Sequence, residues 1–263
     1  MDLKKVKLPL TIVILTNRDD SRFIGALKSA QIASNILVID NESNNNWKEL
    51  KKSFNFDVIS HENKIINFSK VRNYALEKVK TDWVFFIDSD ESLGTSLKEL
   101  NRNKIIIGQI IKKNIFDGAW VTRKDVFLNK TLNFGEAGNA RLMRMFKLDR
   151  GHFTGNIHET AEIKGSLGET EIIISHFSHE NITEFIADIT QYSKMAAKNE
   201  RSSFFINLLK MISFPLLKFI QNYFLKLGFL DGFRGLIYAI VMSLHSFFVR
   251  VFYFEKYLQK DIK

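Results

Sequence analysis

An α/β fold, a parallel doubly wound sheet followed by a helical tail, is predicted by three observations. Residues 83–87, Trp-Val-Phe-Phe-Ile, are all apolar, as in a strand covered by helices on both faces. Ahead of them, strand-like and helix-like stretches alternate. From residue 201 onward the chain turns basic, aromatic and helical.

Leu10–Leu15 is a β-branched strand that ends in the polar run Thr16-Asn17-Arg18-Asp19-Asp20. Arg22–Ser34 has helical length, and Phe23, Ile24, Leu27, Ala30 and Ile32 give it an approximate apolar stripe. Ile36–Ile39 is a second strand, ending in Asp40-Asn41-Glu42-Ser43. Lys48–Phe54 suits a second helix, Asp57–Ser60 a third strand, and Asn67–Lys80 a third helix leading into Trp83–Ile87. No Gly-x-Gly-x-x-Gly follows the first strand and no Walker-type loop occurs. A dinucleotide or P-loop site therefore lacks its phosphate cradle.

The apolar run breaks abruptly into Asp88, Asp90 and Glu91. Open α/β sheets bind ligands at the carboxyl ends of their strands, and two carboxylates two residues apart can share a divalent cation that neutralises a diphosphate. A bare Asp-x-Asp is equally an acidic turn, so its surroundings must decide. With no cysteine in the chain there is no thiolate nucleophile, disulfide or cysteine metal site. His152, His158, His176 and His179 fall within 28 residues but match no catalytic zinc motif, and core or turn roles are expected for them. His176 follows a strand-like Glu171–Ser175 and is placed to line the end of the cleft.

Four segments in order, Thr11–Asp20, Val38–Ser43, Lys70–Leu76 and Asp82–Glu91, resemble the successive blocks of glycosyltransferase family 2. Further on, Arg141-Leu-Met-Arg144, Asn156-Ile-His-Glu159 and Gly228-Phe-Leu-Asp-Gly-Phe-Arg-Gly235 resemble the subgroup that adds sugars to lipopolysaccharide or lipooligosaccharide core. The resemblance implies a GT-A-like (Rossmann-like) nucleotide-sugar-binding domain. It also implies an inverting, metal-dependent transfer of a hexose from a nucleotide sugar, a UDP-sugar first, to a glycolipid core or similar surface glycan.

Position by position, the resemblance places Thr16 and Asp40 against the base and ribose, with Asn17 and Asp19 as further candidates in the first loop. Arg72 and Asn73 approach the diphosphate or donor sugar. Asp88 and Asp90 hold Mn or Mg, with His158 completing the shell. Inversion needs a carboxylate to take the acceptor proton while a cation stabilises the departing diphosphate. Glu159 is the first candidate for that base, and Glu136, in the glycine-flanked Asn133-Phe-Gly-Glu-Ala-Gly138, is its rival. Arg141 and Arg144 are spaced for one helix face or for separate roles near phosphate. Where the family usually has Asp-Ser-Gly-Ser, this chain has Asp40-Asn41-Glu42-Ser43, which removes a glycine's backbone freedom. Rival functions are a polyprenyl-phosphate glycosyltransferase, a metal-dependent phosphohydrolase or nucleotidyltransferase, and a non-catalytic membrane adaptor.

Residues 201–263 hold 11 of the 24 Phe, and nine Lys or Arg against three acids. Asn207, Lys210, Lys218, Gln221 and Asn222 share a helical arc of about 120°, with Leu, Ile and Phe around the rest. Leu236–Phe254 is nearly apolar over 19 residues but carries His245 and Arg250, a borderline span. An interfacial arrangement is expected, with Phe and Leu in the headgroup boundary and Lys and Arg facing anionic lipid. The alternative is packing on the catalytic core or a homodimer contact. The net charge of +9 comes with no nucleic-acid motif, which favours a membrane or phosphorylated glycolipid over nucleic acid. Met1–Pro9 runs directly into the first strand and does not read as a signal peptide. The expected organisation is a catalytic domain over 1–190 and a basic helical region over 191–263, on the cytoplasmic face of the membrane.

Overall fold

The computed structural model describes residues 6–60, 68–137, 140–155 and 159–260. They form two compact units, one from the residues up to 123 with 140–176, the other from 124–139 with 177–263.

The first unit opens with strands β1 (Leu8–Thr16), β2 (Ala33–Asp40), β3 (Asp57–Ser60) and β4 (Trp83–Asp88), separated by helices α1 (Ser21–Ala30), α2 (Trp47–Ser53) and α3 (Phe68–Leu76). The strands are parallel in the order β3-β2-β1-β4, with the switch point between β1 and β4. Alternation along β1 explains why the sheet needs cover on both sides. Leu10, Ile12 and Ile14 join one core with Phe23, Phe85 and Ile87, while Val13 and Leu15 join a second with Val71, Phe86 and Phe153. Phe85, Phe86 and Ile87 are fully buried, worth roughly 1.5–3 kcal/mol each. This is the α/β half-sheet expected from the sequence, and two helices end earlier than expected. α1 stops at Ala30 because Ile32 already accepts from Leu8 N at 2.8 Å as the chain enters the sheet. α3 stops at Leu76, where bonds from Lys78 N to Ala75 O and from Val79 N to Leu76 O tighten the last turn.

Beyond β4 the sheet becomes antiparallel. β5 (Glu91–Ser92), α4 (Leu97–Lys113), β6 (Gly118–Phe127), β7 (Lys130–Thr131), β8 (Ala140–Lys147), β9 (Gly151–Thr154), β10 (Thr160–Ile163) and β11 (Leu167–His176) follow. β8 pairs with β4, and the order runs on through β6 and β11 to β5. β9 and β10 form a separate antiparallel hairpin. β8 and β11 thus carry residues distant in sequence to the end of β4.

The second unit holds α5 (Ile182–Lys198), α6 (Phe204–Ile220) and α7 (Phe233–Lys260), with a π-helical turn at Gln221–Leu225 and a 3-10 turn at Gly228–Asp231. Phe127, Leu132, Phe185, Ile189 and Val241 make its core. The Gly228–Gly235 segment acts here as a latch. The buried Asp231 carboxylate accepts from the backbone N–H groups of Asn133 and Phe134 at 3.0 and 2.9 Å, and Arg234 Nε donates to Leu128 O at 2.9 Å. Gly228 is needed for close approach, since a Cβ there would lie 2.6 Å from Asn222 O. Two helices, Phe204–Leu225 and Phe233–Gln259, are long and apolar enough to cross a membrane.

Candidate active site

Thr16 and Asp40 are paired in register at the ends of β1 and β2, and Asp88 ends β4 opposite Leu15. Both Thr16 and Asp40 are buried. Thr16 Oγ1 accepts from Arg18 N at 3.0 Å, and Asp40 Oδ1 accepts from Ser43 N at 3.0 Å. Asn45 Nδ2 donates to Arg18 O at 2.6 Å, which joins the two loops. The loop after β2 keeps a left-handed turn without glycine, Glu42 having φ 58°. Asn17 and Asp19 are exposed. Asp20, next to them, caps α1 by accepting from Arg22 N and Phe23 N. Burial alone would raise its carboxyl pKa, but Arg22, the Phe23 amide and Arg18 hold it below the ordinary value.

Asp88 sits between two buried arginines. Arg72 Nη2 donates to its Oδ1 at 2.7 Å and Arg144 Nη2 to its Oδ2 at 2.6 Å. Arg144 also donates to Glu91 Oε1 at 3.3 Å, while Glu91 Oε2 accepts from Asp88 N at 2.9 Å. Arg123 Nη1 lies 3.8 Å from Glu91. The environments split the two acids. Burial would raise the pKa of Asp88, yet Arg144 and Arg72 pull it well below the usual range. Burial pushes Glu91 up, Arg144 opposes, and the neighbouring Asp88 charge pushes up again. The Arg144 pKa rises because Asp88 and Glu91 outweigh the desolvation that would lower it. Arg72, 2 % exposed, lies over the edge-packed rings of Phe86 and Phe153, its Cζ 5.6 and 5.4 Å from the ring centres. Its Nε and Nη1 have no hydrogen-bond partner among the described residues.

α3 clamps the β9–β10 hairpin with side chains spaced for one helix face. Ser69 Oγ donates to Gly155 O. Asn73 uses both ends of its amide on Phe153, donating to its carbonyl at 2.9 Å and accepting from its N–H at 2.8 Å. Arg72 Nη2 lies 3.3 Å from Glu159 Oε1, at the far end of the hairpin turn. Asn73 therefore positions the hairpin, and Glu159 joins the Asp88 cluster through a shared arginine. His158 lies outside the described residues.

Asp90 differs from its neighbour. Its Oδ2 is 3.6 Å from Arg18 Nη2 and its Oδ1 is 3.8 Å from His176 Nε2 at the end of β11, both beyond hydrogen-bonding distance.

The model of the family described as glycosyl transferase family 2 matches residues 22–158, just over half of the chain. The chain belongs to glycosyltransferase family 2. It is 23% identical over 259 residues to "Lipopolysaccharide core biosynthesis glycosyltransferase LpsC" of Rhizobium meliloti (strain 1021), covering 90% of this chain and 91% of that protein. Among solved structures it is similar to TarS of S. aureus, at 14% identity and TM-score 0.43, covering 85% of this chain and 45% of that one. A shorter TarS chain, 1-349 in complex with UDP-GlcNAc, matches at 13% identity and TM-score 0.43 over 97% of this chain and 92% of that one. The protein is thus a glycosyltransferase with a GT-A-like α/β fold and two apolar C-terminal helices.

Among the described residues of this glycosyltransferase, no three His, Asp or Glu side chains converge as a metal-holding group. Both Asp88 oxygens are engaged by guanidinium groups, which leaves Asp90 as the carboxylate of the Asp-x-Asp pair suited to a cation. One carboxylate and one imidazole, Asp90 and His176, are a partial donor set of the kind a divalent ion completes with substrate phosphates and water. Glu136 lies in the second unit, where it accepts from Lys218 at 2.6 Å and from Asn222 at 3.4 Å. Burial raises its pKa, but Lys218 and Asn222 pull it below the ordinary value. His152 faces Glu162 at 3.5 Å, and His179 stacks on Phe185 and faces Asp188 at 3.3 Å.

Arg123 carries weight at the site that the sequence reading did not assign, while Arg144 and His176, which it placed near phosphate and at the end of the cleft, lie at Asp88 and Asp90. Arg141 and Arg144 lie on a strand rather than a helix, where a register shift opposite Ala119 and Trp120 makes a bulge at Arg144. Arg141 pairs with Glu169 and covers Trp120, while Arg144 turns inward to Asp88.

Proposed function

We propose that this protein transfers a hexose, with inversion, from a nucleotide sugar to a lipopolysaccharide or lipooligosaccharide core, or a similar surface glycan, at the cytoplasmic face of a membrane. One observation carries the reading: Thr16, Asp40, Asp88 and Asp90 converge at the carboxyl ends of three neighbouring strands around the switch point. Asp40 accepts from the imide of a uracil base, which selects UDP-sugars, with Thr16 beside the ribose and Asn17 and Asp19 at the mouth of the loop. Asp90 and His176 would hold a divalent cation, Mn or Mg, which would supply charge neutralisation for a diphosphate leaving group.

Asp88 does different work, holding Arg72 and Arg144 with their positive charge facing the donor. Glu159 takes the proton of the acceptor hydroxyl. It faces Arg72 and is only partly covered, so an acceptor can reach it. Glu136 is the weaker base, because its charge is already matched by Lys218. Likeness to a lipopolysaccharide core glycosyltransferase over nine-tenths of both chains supports the acceptor class.

The test is a donor panel. Purified protein with Mn²⁺ or Mg²⁺ is given UDP-glucose, UDP-galactose, UDP-N-acetylglucosamine and other nucleotide sugars, with and without deacylated core acceptor, and nucleotide release is followed. Release that needs acceptor and vanishes in Asp90→Ala is the expected result. Release of equal size without acceptor points to a hydrolase, and no release with any donor sinks the assignment.

A further inference from the structure

Helix α6 is amphipathic with its faces reversed. Its polar side turns toward the rest of its own unit. Asn207 is fully buried and donates to Ser202 O at 2.9 Å, Lys210 donates to Ser202 Oγ at 2.6 Å and faces Glu200 at 3.5 Å, and Lys218 binds Glu136. On the other side Phe205, Leu209, Ile212, Leu216 and Ile220 recur at helical spacing within about 80° of the helix surface. They are 77, 71, 66, 61 and 44 % exposed. A helix bathed in water carries the opposite pattern.

Charge identifies what covers this stripe. From residue 201 to 254 the chain has a single carboxylate, Asp231, and it is buried. Arg201, just before α6, and Lys226, just after the π-helical turn, are exposed. The apolar exposure continues through Leu225, Phe229, Leu230 and Phe233. A two-fold contact between antiparallel copies of α6 would set Arg201 against Lys226, like charge on like charge. Crossing the bilayer would tear Lys218 from Glu136 and carry the Lys210 charge toward hydrocarbon.

We infer that α6 docks this protein on an anionic bilayer, lying in the interfacial plane with the Phe205–Ile220 stripe among the acyl chains and Arg201 and Lys226 at the headgroups. The lysines of the polar arc face protein rather than lipid. They fasten the helix to its own unit so that the apolar side stays out. This docking rests on the glycolipid reading of the acceptor only for its setting. Binding is read without turnover, so either reading can fail while the other stands.

The experiment is co-sedimentation of the full chain with vesicles of phosphatidylcholine alone and of phosphatidylcholine mixed with phosphatidylglycerol. It compares wild type, the double variant Leu209→Glu/Ile212→Glu, and the control Leu97→Glu, which changes an exposed leucine of α4. Circular dichroism verifies that all three keep their helix content. Wild type and the control should bind the mixed vesicles, more weakly in high salt, and the double variant should lose at least about a hundredfold in partitioning. Equal binding by the double variant, or no binding by wild type to either vesicle, overturns the inference. So does a concentration-dependent dimer, seen without vesicles, that the double variant abolishes.

Discussion

The carboxyl ends of the strands and the outer face of α6 break the same packing rule in opposite senses. At the strand ends, charge is taken inside: Arg72 and Arg144 are buried with Asp88 between them, and Glu91 is buried against Arg144. On α6, apolar surface is left outside, five large side chains in one stripe. Buried charge and exposed apolar patches are the two departures from ordinary globular packing that carry information. The first costs desolvation and is tolerated where charge must be held in a fixed direction. The second costs solubility and is tolerated where something other than water covers it.

The difference predicts opposite responses to a change of polarity. Arg144→Leu leaves Asp88 with one guanidinium instead of two and Glu91 buried with its main partner gone. A loss of about 3–5 kcal/mol in denaturant-monitored stability is expected, the range for breaking one side of a buried ion pair. Adding Glu91→Gln should restore part of it, because the stranded charge is then absent. If Arg144→Leu costs under about 1 kcal/mol, the network is surface decoration.

Glu159→Gln tests the chemistry without disturbing fold. It keeps the side chain's size and its contact with Arg72 but cannot accept a proton, so kcat should fall about a thousandfold while donor binding persists. Glu136→Gln, in the second unit, should leave kcat within about threefold, since its carboxylate is already paired. Steady-state kinetics on both variants decides between the two carboxylates, and a reversed order would move the base to Glu136.

How far the sequence disclosed these two regions follows from how local each signal is. The apolar runs of β1 and β4, and the acids that end β2 and β4, are continuous in the chain, so strands and Asp-x-Asp pair could be read from composition and spacing, whereas the switch point needed the strand order. Arg144 and His176 reach the same place through antiparallel strands 56 and 86 residues beyond Asp88 and Asp90, so a role near phosphate and a place at the cleft end could be read for them but not their partners. The polar arc of α6 was legible as an arc. Its direction was not, because a helix wheel gives two faces without saying which one meets water. Glu42 is a smaller instance: the motif's missing glycine was visible, but only the structure shows that the left-handed turn survives it. Glu42→Gly should relieve that strain and stabilise by about 0.5–1 kcal/mol, after allowing for the extra freedom glycine gives the unfolded chain. A thermal melt reads it, and a destabilised variant would mean that Glu42 makes compensating contacts.

The smallest effect expected is the one that sharpens the comparison most. Leu209→Gln replaces a 71 % exposed leucine by a polar side chain in the middle of α6. If that face is solvent-exposed in the free protein, stability in vesicle-free buffer should change by less than about 0.5 kcal/mol, as at an ordinary surface site. Solubility in the same buffer should rise, because an apolar patch has been broken. A loss of several kcal/mol would instead mean that Leu209 packs against protein in solution. The same substitution in the strand-end region would be severe, and here its near-silence is the informative outcome: a leucine that contributes nothing to the fold yet extends an exposed apolar stripe is one whose contacts lie outside the chain.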